Sequence, residues 1–373
     1  MKIVLVIDQM VGGGAAKKLT LIANELSRKG HVVTVATNIY KPIVYELGKS
    51  VKLISIYSES AYRKSHFSRL YLTAKMLRRL ISELCPDIVV SFLPHVSFMT
   101  KMALLGKGVP IVFSDETSYA RKDSLLGKYL RHHFYKYADA IVVLTENDCR
   151  LLGKKFPKIV AIHNPVEQKK PLLVPIFERK KRITVIGQTT RWEIKGLDIA
   201  VEAWSAVAKD FPDWKLSVVG EQEPESERYL LGLADESVRD QIEFLGFQQD
   251  IMKVMTQTQV FLLTSRFEGF SLSLVEALMA GVPCIAFSEY GVVDEVSLGG
   301  KGTIIIPDNE IGKLTAALKD LLIDGSKRES LSKEGVIVAA EYAPEIIVNQ
   351  WEKLFLSIIK RKKATTRESI NSN

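Results

Sequence analysis

The chain of 373 residues contains little cysteine and no long apolar run. Its three cysteines, Cys85, Cys149 and Cys284, are odd in number and scattered, so they give neither a disulfide framework nor a metal-binding spacing. The absence of any run of about 18 apolar residues excludes an ordinary membrane-spanning helix. The first residues, Met1 to Asp8, carry one lysine and an apolar run that is too short for a secretion signal. We therefore expect a protein of the reducing cytoplasm.

Histidine is also scarce, and the acidic patterns that hold divalent ions are missing. None of the six histidines has the spacing of a metal ligand, and no Asp-x-Asp pair occurs. The nearest acidic pair, Asp115 and Glu116, follows a predicted strand, where adjacent side chains point to opposite faces. The sequence predicts no metal and no cofactor, and hence an activity that is independent of metal ions.

Basic and acidic residues are unevenly distributed. Residues 1–165 contain 25 Lys and Arg against 12 Asp and Glu, whereas residues 166–359 contain 21 against 30. A basic first half beside an acidic second half favours two domains with different partners. No helix-turn-helix, zinc or RNA-binding pattern accompanies the basic half, so nucleic acid is not expected. An anionic membrane surface or a phosphorylated acceptor fits the charge better.

Apolar runs of strand length alternate with helical patterns along the whole chain, which predicts α/β domains with parallel sheets. A segment with three prolines, residues 164–175, interrupts the alternation and is interpreted as a linker between two domains. The final helix is predicted from Pro344 to about Lys362. The predicted strands are Ile3–Ile7, Val32–Ala36, Val51–Ile56, Ile88–Phe92, Val109–Phe113, Ala140–Leu144 and Ile159–Ile162, then Arg182–Ile186, Lys215–Val219, Ile242–Leu245, Val260–Leu263, Cys284–Phe287 and Thr303–Ile306.

The segment Ser265–Pro283 is the most informative part of the chain. It follows a predicted buried strand and contains a glycine turn, an apolar helix and a Gly-Val-Pro stop. A helix N-terminus offers free N–H groups and partial positive charge to an anion. Glu268 and Glu276 lie on either side of this point, separated by about 12 Å at the rise of a helix. The layout suits a phosphorylated sugar, with amides for the phosphate and carboxylates for hydroxyl groups.

This segment resembles the paired-glutamate motif of family 4 retaining glycosyltransferases, which have the GT-B fold. The resemblance extends over nearly the whole chain, because Ile162–Pro165, Gly187–Gly196 and Ile242–Gly246 follow in the expected order and spacing. It implies two Rossmann-like parallel-sheet domains that face each other across a cleft. Residues 1–165 form the acceptor-binding domain and 166–345 the donor-binding domain. A crossover helix over 346–363 returns to the first domain and precedes a disordered polar tail, 364–373.

The resemblance also implies roles for donor-side residues. Glu276 binds ribose hydroxyls, and Glu268 binds hydroxyls of the transferred sugar. Arg191 and Lys195 neutralise the diphosphate, which is the work that a divalent ion does in other transferases. We therefore take Glu268, Arg191 and Lys195 as catalytic, although Gln188 stands where the family usually places the arginine. The remaining donor-binding candidates are Gly13, Gly14, Gly187, Phe247, Gly269, Phe270, Ser271 and Leu272.

The glycine loop that contains Gly13 and Gly14 follows the first predicted strand and opens a helix. It is neither a dinucleotide fingerprint, since Lys17 stands where a glycine is required, nor a P-loop. It resembles the family loop that approaches the donor diphosphate from the first domain. A tight strand-to-helix turn without a ligand is the alternative.

Acceptor-side residues are predicted from strand ends, where ligands bind in open α/β sheets. The candidates are His95, Asp115 and Glu116. Many family members carry a histidine near Asp115 that contacts the donor sugar, and this chain has none there. His31, before the second strand, is interpreted as structural.

Together these features predict a retaining glycosyltransferase that moves a sugar from a nucleotide-sugar, expected to be a UDP-sugar, to a hydroxyl of a glycan or lipid-linked glycan. Synthesis of bacterial surface polysaccharide or lipopolysaccharide is the expected setting. The alternatives are a nucleotide-sugar epimerase on the same fold and a non-catalytic protein that binds sugar nucleotides or a membrane surface. A peripheral position on the inner face of the cell membrane is predicted from Arg63–Tyr71, which mixes basic and aromatic residues.

Overall fold

The computed structural model describes residues 1–11, 13–57, 66–116, 125–153, 155–156, 158–168, 174–288 and 291–371. For residues 66–70, 125, 126, 128, 130 and 365–371 only the backbone is described. The chain divides into two compact units. The first comprises Met1–Glu167 together with Pro344–Asn373, and the second comprises Gln168–Ala343.

The first unit is built on a parallel sheet of seven strands in the order β3-β2-β1-β4-β5-β6-β7. Its strands read as continuous apolar runs because helices cover both faces of such a sheet. The elements up to residue 167 are β1 (Lys2–Val6), α1 (Gly14–Arg28), β2 (Val32–Thr37), β3 (Lys52–Ser55), α2 (His66–Leu84), β4 (Ile88–Phe92), α3 (Pro94–Ala103), β5 (Ile111–Ser114), α4 (Leu125–Phe134), β6 (Ala140–Val143), α5 (Glu146–Gly153) and β7 (Ile159–Ala161).

The strand order of the first sheet reverses between β1 and β4. In register, Val4 of β1 lies between Thr34 of β2 and Val89 of β4. The core beneath this region includes Phe113 of β5 and Leu77 of α2. Loops that follow β1, β4 and β5 therefore meet at the carboxyl edge, where open α/β sheets bind ligands.

The second unit is a parallel sheet of six strands in the order β10-β9-β8-β11-β12-β13. Here the order reverses between β8 and β11, so the loops after these two strands are neighbours at the carboxyl edge. The elements are β8 (Arg182–Ile186), α6 (Trp192–Lys195), α7 (Leu197–Ser205), β9 (Lys215–Val219), α8 (Pro224–Gly232), β10 (Ile242–Phe244), α9 (Ile251–Met255), β11 (Val260–Leu263), α10 (Leu272–Met279), β12 (Cys284–Phe287), α11 (Val292–Val296), β13 (Thr303–Ile306), α12 (Ile311–Ile323) and α13 (Gly325–Ala340).

The last helix, α14 (Pro344–Asn371), belongs to the first unit and packs on α1. Trp351 and Phe355 are its buried ring side chains, with centroids 5.7 Å apart. At its N-terminal part the Glu352 carboxylate contacts Lys29 Nζ at 2.8 Å and His31 Nε2 at 2.6 Å. Burial disfavours the Glu352 charge, but these hydrogen bonds outweigh burial and lower its pKa. His31 thus has the structural role expected of it.

The end of α14 differs from the sequence prediction. The helix continues to Asn371, nine residues beyond Lys362 and through most of the segment predicted as a disordered tail. The physical reason lies in the composition, because no glycine or proline follows Pro344 to stop the helix.

The strands agree closely with the predicted apolar runs. Each predicted run coincides with an observed strand, and the bounds differ by at most two residues. The segment predicted to associate with a membrane surface lies partly on α2. Its backbone is described from His66, whereas Arg63 and Lys64 lie outside the described residues, as do the side chains of Phe67 and Arg69. On α2 the side chains of Leu77, Leu80 and Ile81 are buried. Tyr71, Lys75, Arg78 and Arg79 are exposed.

Candidate active site

The turn between β11 and α10 forms the centre of the candidate site. Phe270 is buried in this turn, and its ring meets the Tyr342 ring edge-on at 5.5 Å between centroids. Ser271, the residue before the helix, is also buried, and its hydroxyl oxygen has no hydrogen-bond partner within the described chain. A buried hydroxyl without a partner carries an energetic cost. A ligand at the adjacent helix N-terminus, near Gly269 and Leu272, would offer it one.

The two glutamates lie in different surroundings. Glu276 is on the second turn of α10, and its side chain is buried. Glu268 precedes the helix and is partly exposed. The Ser265 hydroxyl donates a hydrogen bond to Glu268 Oε1 at 2.8 Å. A partly exposed carboxylate and a buried one can serve two different groups of a ligand.

Lys195 forms an ion pair with Glu268. Its Nζ lies 2.7 Å from Glu268 Oε1, and the two side chains are 25% and 13% exposed. The pair joins the loop after β8 to the turn after β11, which are neighbours because of the strand order. Lys195 and Glu268, both predicted as catalytic, are therefore in direct contact.

Tight backbone packing fixes the loop that contains Lys195. Gly196 has a φ of +62°, and a Cβ there would lie 1.8 Å from the Thr264 carbonyl oxygen. A Cβ on Gly187 would lie 2.8 Å from the Lys195 Cβ, and one on Gly220 would lie 2.2 Å from the Gly187 carbonyl oxygen. Glycine at these positions lets three chain segments approach each other more closely than any side chain permits.

A second ion pair holds the same two segments together. The Arg266 guanidinium binds both carboxylate oxygens of Asp198, at 2.9 and 2.7 Å, and also binds the Glu193 carbonyl oxygen. The Arg266 amide donates to the Ile194 carbonyl oxygen at 2.9 Å. These bonds raise the pKa of Arg266, first through the Asp198 hydrogen bond. A planar two-point contact of this kind fixes geometry as well as charge.

Arg191 differs from Lys195 in its surroundings. Its side chain is exposed, and its guanidinium makes no hydrogen bond or ion pair with the residues that the structure describes. It ends a short helical turn, Thr189–Arg191, at the start of α6. Phe247 is similarly exposed, at 68%, in the loop after β10. A bound ligand could engage both without breaking an existing contact.

Arg179, which is not among the residues predicted from the sequence, fixes the far end of α10. Its guanidinium donates to the carbonyl oxygens of Val174, Thr258 and Gly281, at 2.9, 3.2 and 3.2 Å. Burial lowers the pKa of Arg179 to about 10. Gly281 follows α10, so this cation neutralises the negative end of the helix. No local sequence pattern signals such a residue, because its partners are up to a hundred positions away.

In the first unit, the glycine loop and the acceptor candidates lie at the carboxyl edge. Gly13 precedes α1 with a φ of +87°, Gly14 begins the helix, and both are exposed. His95 is exposed in the first turn of α3, after Leu93, whose φ is +76°. Glu116 follows β5 and pairs with Lys18 at 3.1 Å.

Asp115 is committed to a buried network. Arg131 Nε lies 2.7 Å from Asp115 Oδ2, and Arg131 Nη2 donates to Oδ1 at 2.8 Å. The Tyr135 hydroxyl donates to Oδ2 at 2.6 Å. Burial raises the pKa of Tyr135, and the Asp115 charge raises it further. With both oxygens occupied, Asp115 holds α4 on the sheet edge, which is a different arrangement from the acceptor contact predicted for it.

Within the described residues, no cluster of three His, Cys, Asp or Glu side chains could hold a metal ion. No helix in the described part of the chain has the length and apolar character needed to cross a membrane.

Two family models match the chain in succession. The model described as Glycosyltransferase Family 4 matches residues 12–170, and the one described as Glycosyl transferases group 1 matches residues 168–336. An uncharacterized glycosyltransferase of Haemophilus influenzae is 25% identical over 349 residues, covering 91% of this chain and 95% of the relative.

A Campylobacter jejuni enzyme is 24% identical over 366 residues, covering 96% of this chain and 99% of its own. Its name is GalNAc-alpha-(1->4)-GalNAc-alpha-(1->3)-diNAcBac-PP-undecaprenol alpha-1,4-N-acetyl-D-galactosaminyltransferase. The fold matches that of an S. aureus TarM variant solved with fondaparinux, alpha-GlcNAc-glycerol and UDP. The TM-score is 0.76, with 12% identity, over 95% of this chain and 100% of that one. With its two parallel-sheet units and these matches, the chain belongs to the group 1, family 4 glycosyltransferases of the GT-B fold.

Proposed function

We propose that this glycosyltransferase takes its sugar from a UDP-sugar and transfers it, with retention of the anomeric configuration, to a hydroxyl of a lipid-linked glycan. The donor assignment rests on the Lys195–Glu268 ion pair and on the buried Ser271 hydroxyl before α10, which has no hydrogen-bond partner among the described residues. A cation, a carboxylate and a helix N-terminus are the groups that a sugar diphosphate requires.

Each donor group has a matching partner in the second unit. Lys195 and Arg191 bind the diphosphate, and Ser271 with the first amides of α10 binds its phosphate oxygens. Glu268 then accepts hydrogen bonds from the transferred sugar, and the buried Glu276 accepts them from the ribose. The TarM variant solved with UDP supports the choice of base.

In the proposed reaction the acceptor hydroxyl attacks the anomeric carbon from the face that the diphosphate leaves. The bond between that carbon and the phosphate oxygen breaks, and the hydroxyl proton passes to the departing oxygen. Negative charge grows on the diphosphate as the bond breaks. Lys195, which its ion pair with Glu268 holds in place, and Arg191 stabilise this charge more strongly than the charge of the bound substrate, which is the condition for catalysis. The reaction proceeds without a metal ion.

The acceptor assignment rests on two features. The Campylobacter relative acts, by its name, on a glycan linked through diphosphate to undecaprenol. In this chain, residues 1–165 are basic, and α2 combines a buried apolar side with exposed Tyr71, Lys75 and Arg79. A helix of this kind binds anionic lipid surfaces. We therefore propose peripheral association with the cytoplasmic face of a membrane, in the synthesis of bacterial surface polysaccharide.

The test is a panel of nucleotide-sugars and nucleoside diphosphates, measured first by thermal shift and then by turnover. A ligand at 100 times its dissociation constant stabilises the folded protein by about 2.7 kcal/mol. We expect UDP-sugars to give the largest shift and to be hydrolysed slowly without an acceptor, releasing the α-anomer in an NMR time course. Stabilisation without hydrolysis or transfer would favour a binding protein, and conversion of the donor to its epimer would favour an epimerase.

A further inference from the structure

Lys18 lies on the apolar side of α1, and its side chain is fully buried. Its Nζ is 3.1 Å from Glu116 Oε1 and donates to the Ser114 hydroxyl oxygen at 3.3 Å. The same ammonium group lies over the Trp351 ring of α14, 5.6 Å from the centroid, within cation–π range. One buried cation thus joins α1, the end of β5 and α14.

A buried ion pair of this kind is weak evidence for a stabilising role. Desolvation of two charges offsets their attraction, and apolar residues of similar size often serve stability as well. Lys18 and Glu116 are also 98 positions apart. What the pair does provide is a carboxylate in one fixed orientation.

Glu116 keeps one oxygen available. Oε1 takes the bonds from Lys18 and from the Ser114 hydroxyl, which donates at 2.6 Å. Oε2 has no hydrogen-bond partner among the described residues, and it is not fully buried. The side chain is only 5% exposed. The oxygen that reaches solvent is therefore Oε2, at the carboxyl edge of β5, where open α/β sheets bind ligands.

The neighbouring carboxylate provides the contrast. Both oxygens of Asp115 are engaged by Arg131, and Oδ2 also by Tyr135. Two adjacent acidic residues are thus held by different buried cations. Both oxygens of Asp115 accept hydrogen bonds, whereas Glu116 has one oxygen without a partner among the described residues.

We propose that Lys18 is a positioning residue that orients Glu116 so that Oε2 accepts a hydrogen bond from a hydroxyl group of the acceptor. This assignment deepens the proposed function and rests on it. Glu116 is the acceptor-binding group, and Lys18 and Ser114 act through it.

The experiment uses three variants, Lys18→Met, Glu116→Gln and the double variant, with octyl glycosides of glucose, galactose and N-acetylgalactosamine as acceptor probes. Each single variant leaves one buried charge unpaired and should lower Tm. The double variant removes both charges and should regain most of the lost Tm. Its acceptor KM should stay at least tenfold above that of the wild type, since a hydrogen bond to a charged group is lost.

Ser114→Ala gives a second measurement that does not depend on tolerance of the double change. It removes one bond to Oε1 and should raise the acceptor KM severalfold with little change in Tm. The matched control is Glu25→Gln with Arg28→Met, an ion pair at the C-terminal end of the same helix. The control should leave the acceptor KM unchanged.

The outcomes separate this proposal from the proposed function. A double variant or a Ser114→Ala variant with the acceptor KM of the wild type would overturn the role of Lys18 and Glu116 while leaving glycosyl transfer intact. A wild-type protein that neither hydrolyses nor transfers from any nucleotide-sugar would overturn the proposed function, and this proposal with it.

Discussion

The two units have the same winding order but differ in how they hold charge at the carboxyl edge. In the second unit, the Lys195–Glu268 pair is partly exposed, at 25% and 13%. In the first unit, the Lys18–Glu116 pair is 0% and 5% exposed, and the Arg131–Asp115 pair is 6% and 1% exposed. Solvent and a ligand can therefore reach the charges of the second unit, whereas those of the first unit are largely enclosed by protein.

This difference shows how one architecture can serve two purposes. A partly exposed pair can exchange partners at modest cost, as the proposed binding of a diphosphate to Lys195 requires. A buried pair cannot separate without leaving an unpaired charge, so it fixes the backbone and one carboxylate instead. The glycine loops differ in the same way. A Cβ on Gly196 would collide with Thr264, whereas a Cβ on Gly13 would lie more than 4 Å from every heavy atom beyond its two chain neighbours in the described part of the chain.

The largest predicted effect tests the packing of the two glycine loops. Gly196→Ala should destabilise the protein by on the order of 4 kcal/mol, because the new Cβ meets a backbone carbonyl. Gly13→Ala brings backbone strain but no clash and should cost about 1–3 kcal/mol. Urea denaturation measures both. Gly232→Ala, at the end of α8 with open space, is the control and should be neutral or stabilising. Equal losses at positions 196 and 13 would contradict the difference between the loops.

The second prediction concerns the partly exposed ion pair between Lys195 and Glu268. Lys195→Ala should lower kcat by about 10²–10³-fold. This corresponds to the loss of about 2.7–4 kcal/mol of transition-state stabilisation, which is typical when a preorganised electrostatic contact is removed. The protein should stay folded, because Glu268 is partly exposed and keeps its Ser265 contact. Lys209→Ala, which breaks an exposed pair with Asp235, is the matched control.

The same activity assay, with a chelator added, tests metal independence. Activity of the wild type should persist after exhaustive chelation. Loss of activity with the chelator, and its return with magnesium or manganese, would show that Lys195 and Arg191 do not carry the leaving-group charge alone.

The third prediction separates the two glutamates. Glu276→Ala should weaken binding of the free nucleoside diphosphate by about 1.5–3 kcal/mol, because it removes a hydrogen bond to a charged group. Glu268→Ala should spare that binding and lower turnover, since the free nucleotide lacks the sugar that we propose Glu268 to bind. Isothermal calorimetry measures the binding. Equal losses in the two variants would contradict this division of roles.

The sequence predicted the strands well because both sheets are parallel and covered on both faces. Each strand is then a continuous apolar run, such as Val260–Leu263, that needs no distant information. The paired glutamates and the loop of Lys195 also had local patterns. The structure adds that Lys195 and Glu268 touch, which their separation in sequence could not reveal.

The buried ion pairs were missed for a physical reason. Arg131 and Lys18 find Asp115 and Glu116 only through the tertiary fold, and Arg179 binds carbonyl oxygens that every residue carries. For Lys18 the sequence does contain one indication. Lys18 lies four positions before Ile22, on the buried side of α1, where a lysine needs a partner.

The smallest predicted effect tests the charge difference between the units at a membrane. The double variant Lys75→Ser, Arg79→Ser on α2 should bind less well to vesicles that contain anionic lipid. Each basic residue near such a surface contributes about 1 kcal/mol, so the two together correspond to roughly thirty-fold in partitioning. Co-sedimentation at low salt measures the binding, which should fall steeply as salt rises, because screening weakens the attraction.

Two exposed lysines of the second unit provide the control, because we propose membrane association for the first unit alone. Lys181→Ser, Lys209→Ser removes the same charge as the α2 variant and breaks only exposed ion pairs. It should bind vesicles as the wild type does, whereas Tyr71→Ser should weaken binding through the loss of an exposed ring at the lipid interface. If the control variant lost as much binding as the α2 variant, net charge alone would drive the attraction. A soluble acceptor would be the better proposal if the wild type bound neutral vesicles as well as anionic ones. The same conclusion would follow if it bound no vesicles at low salt.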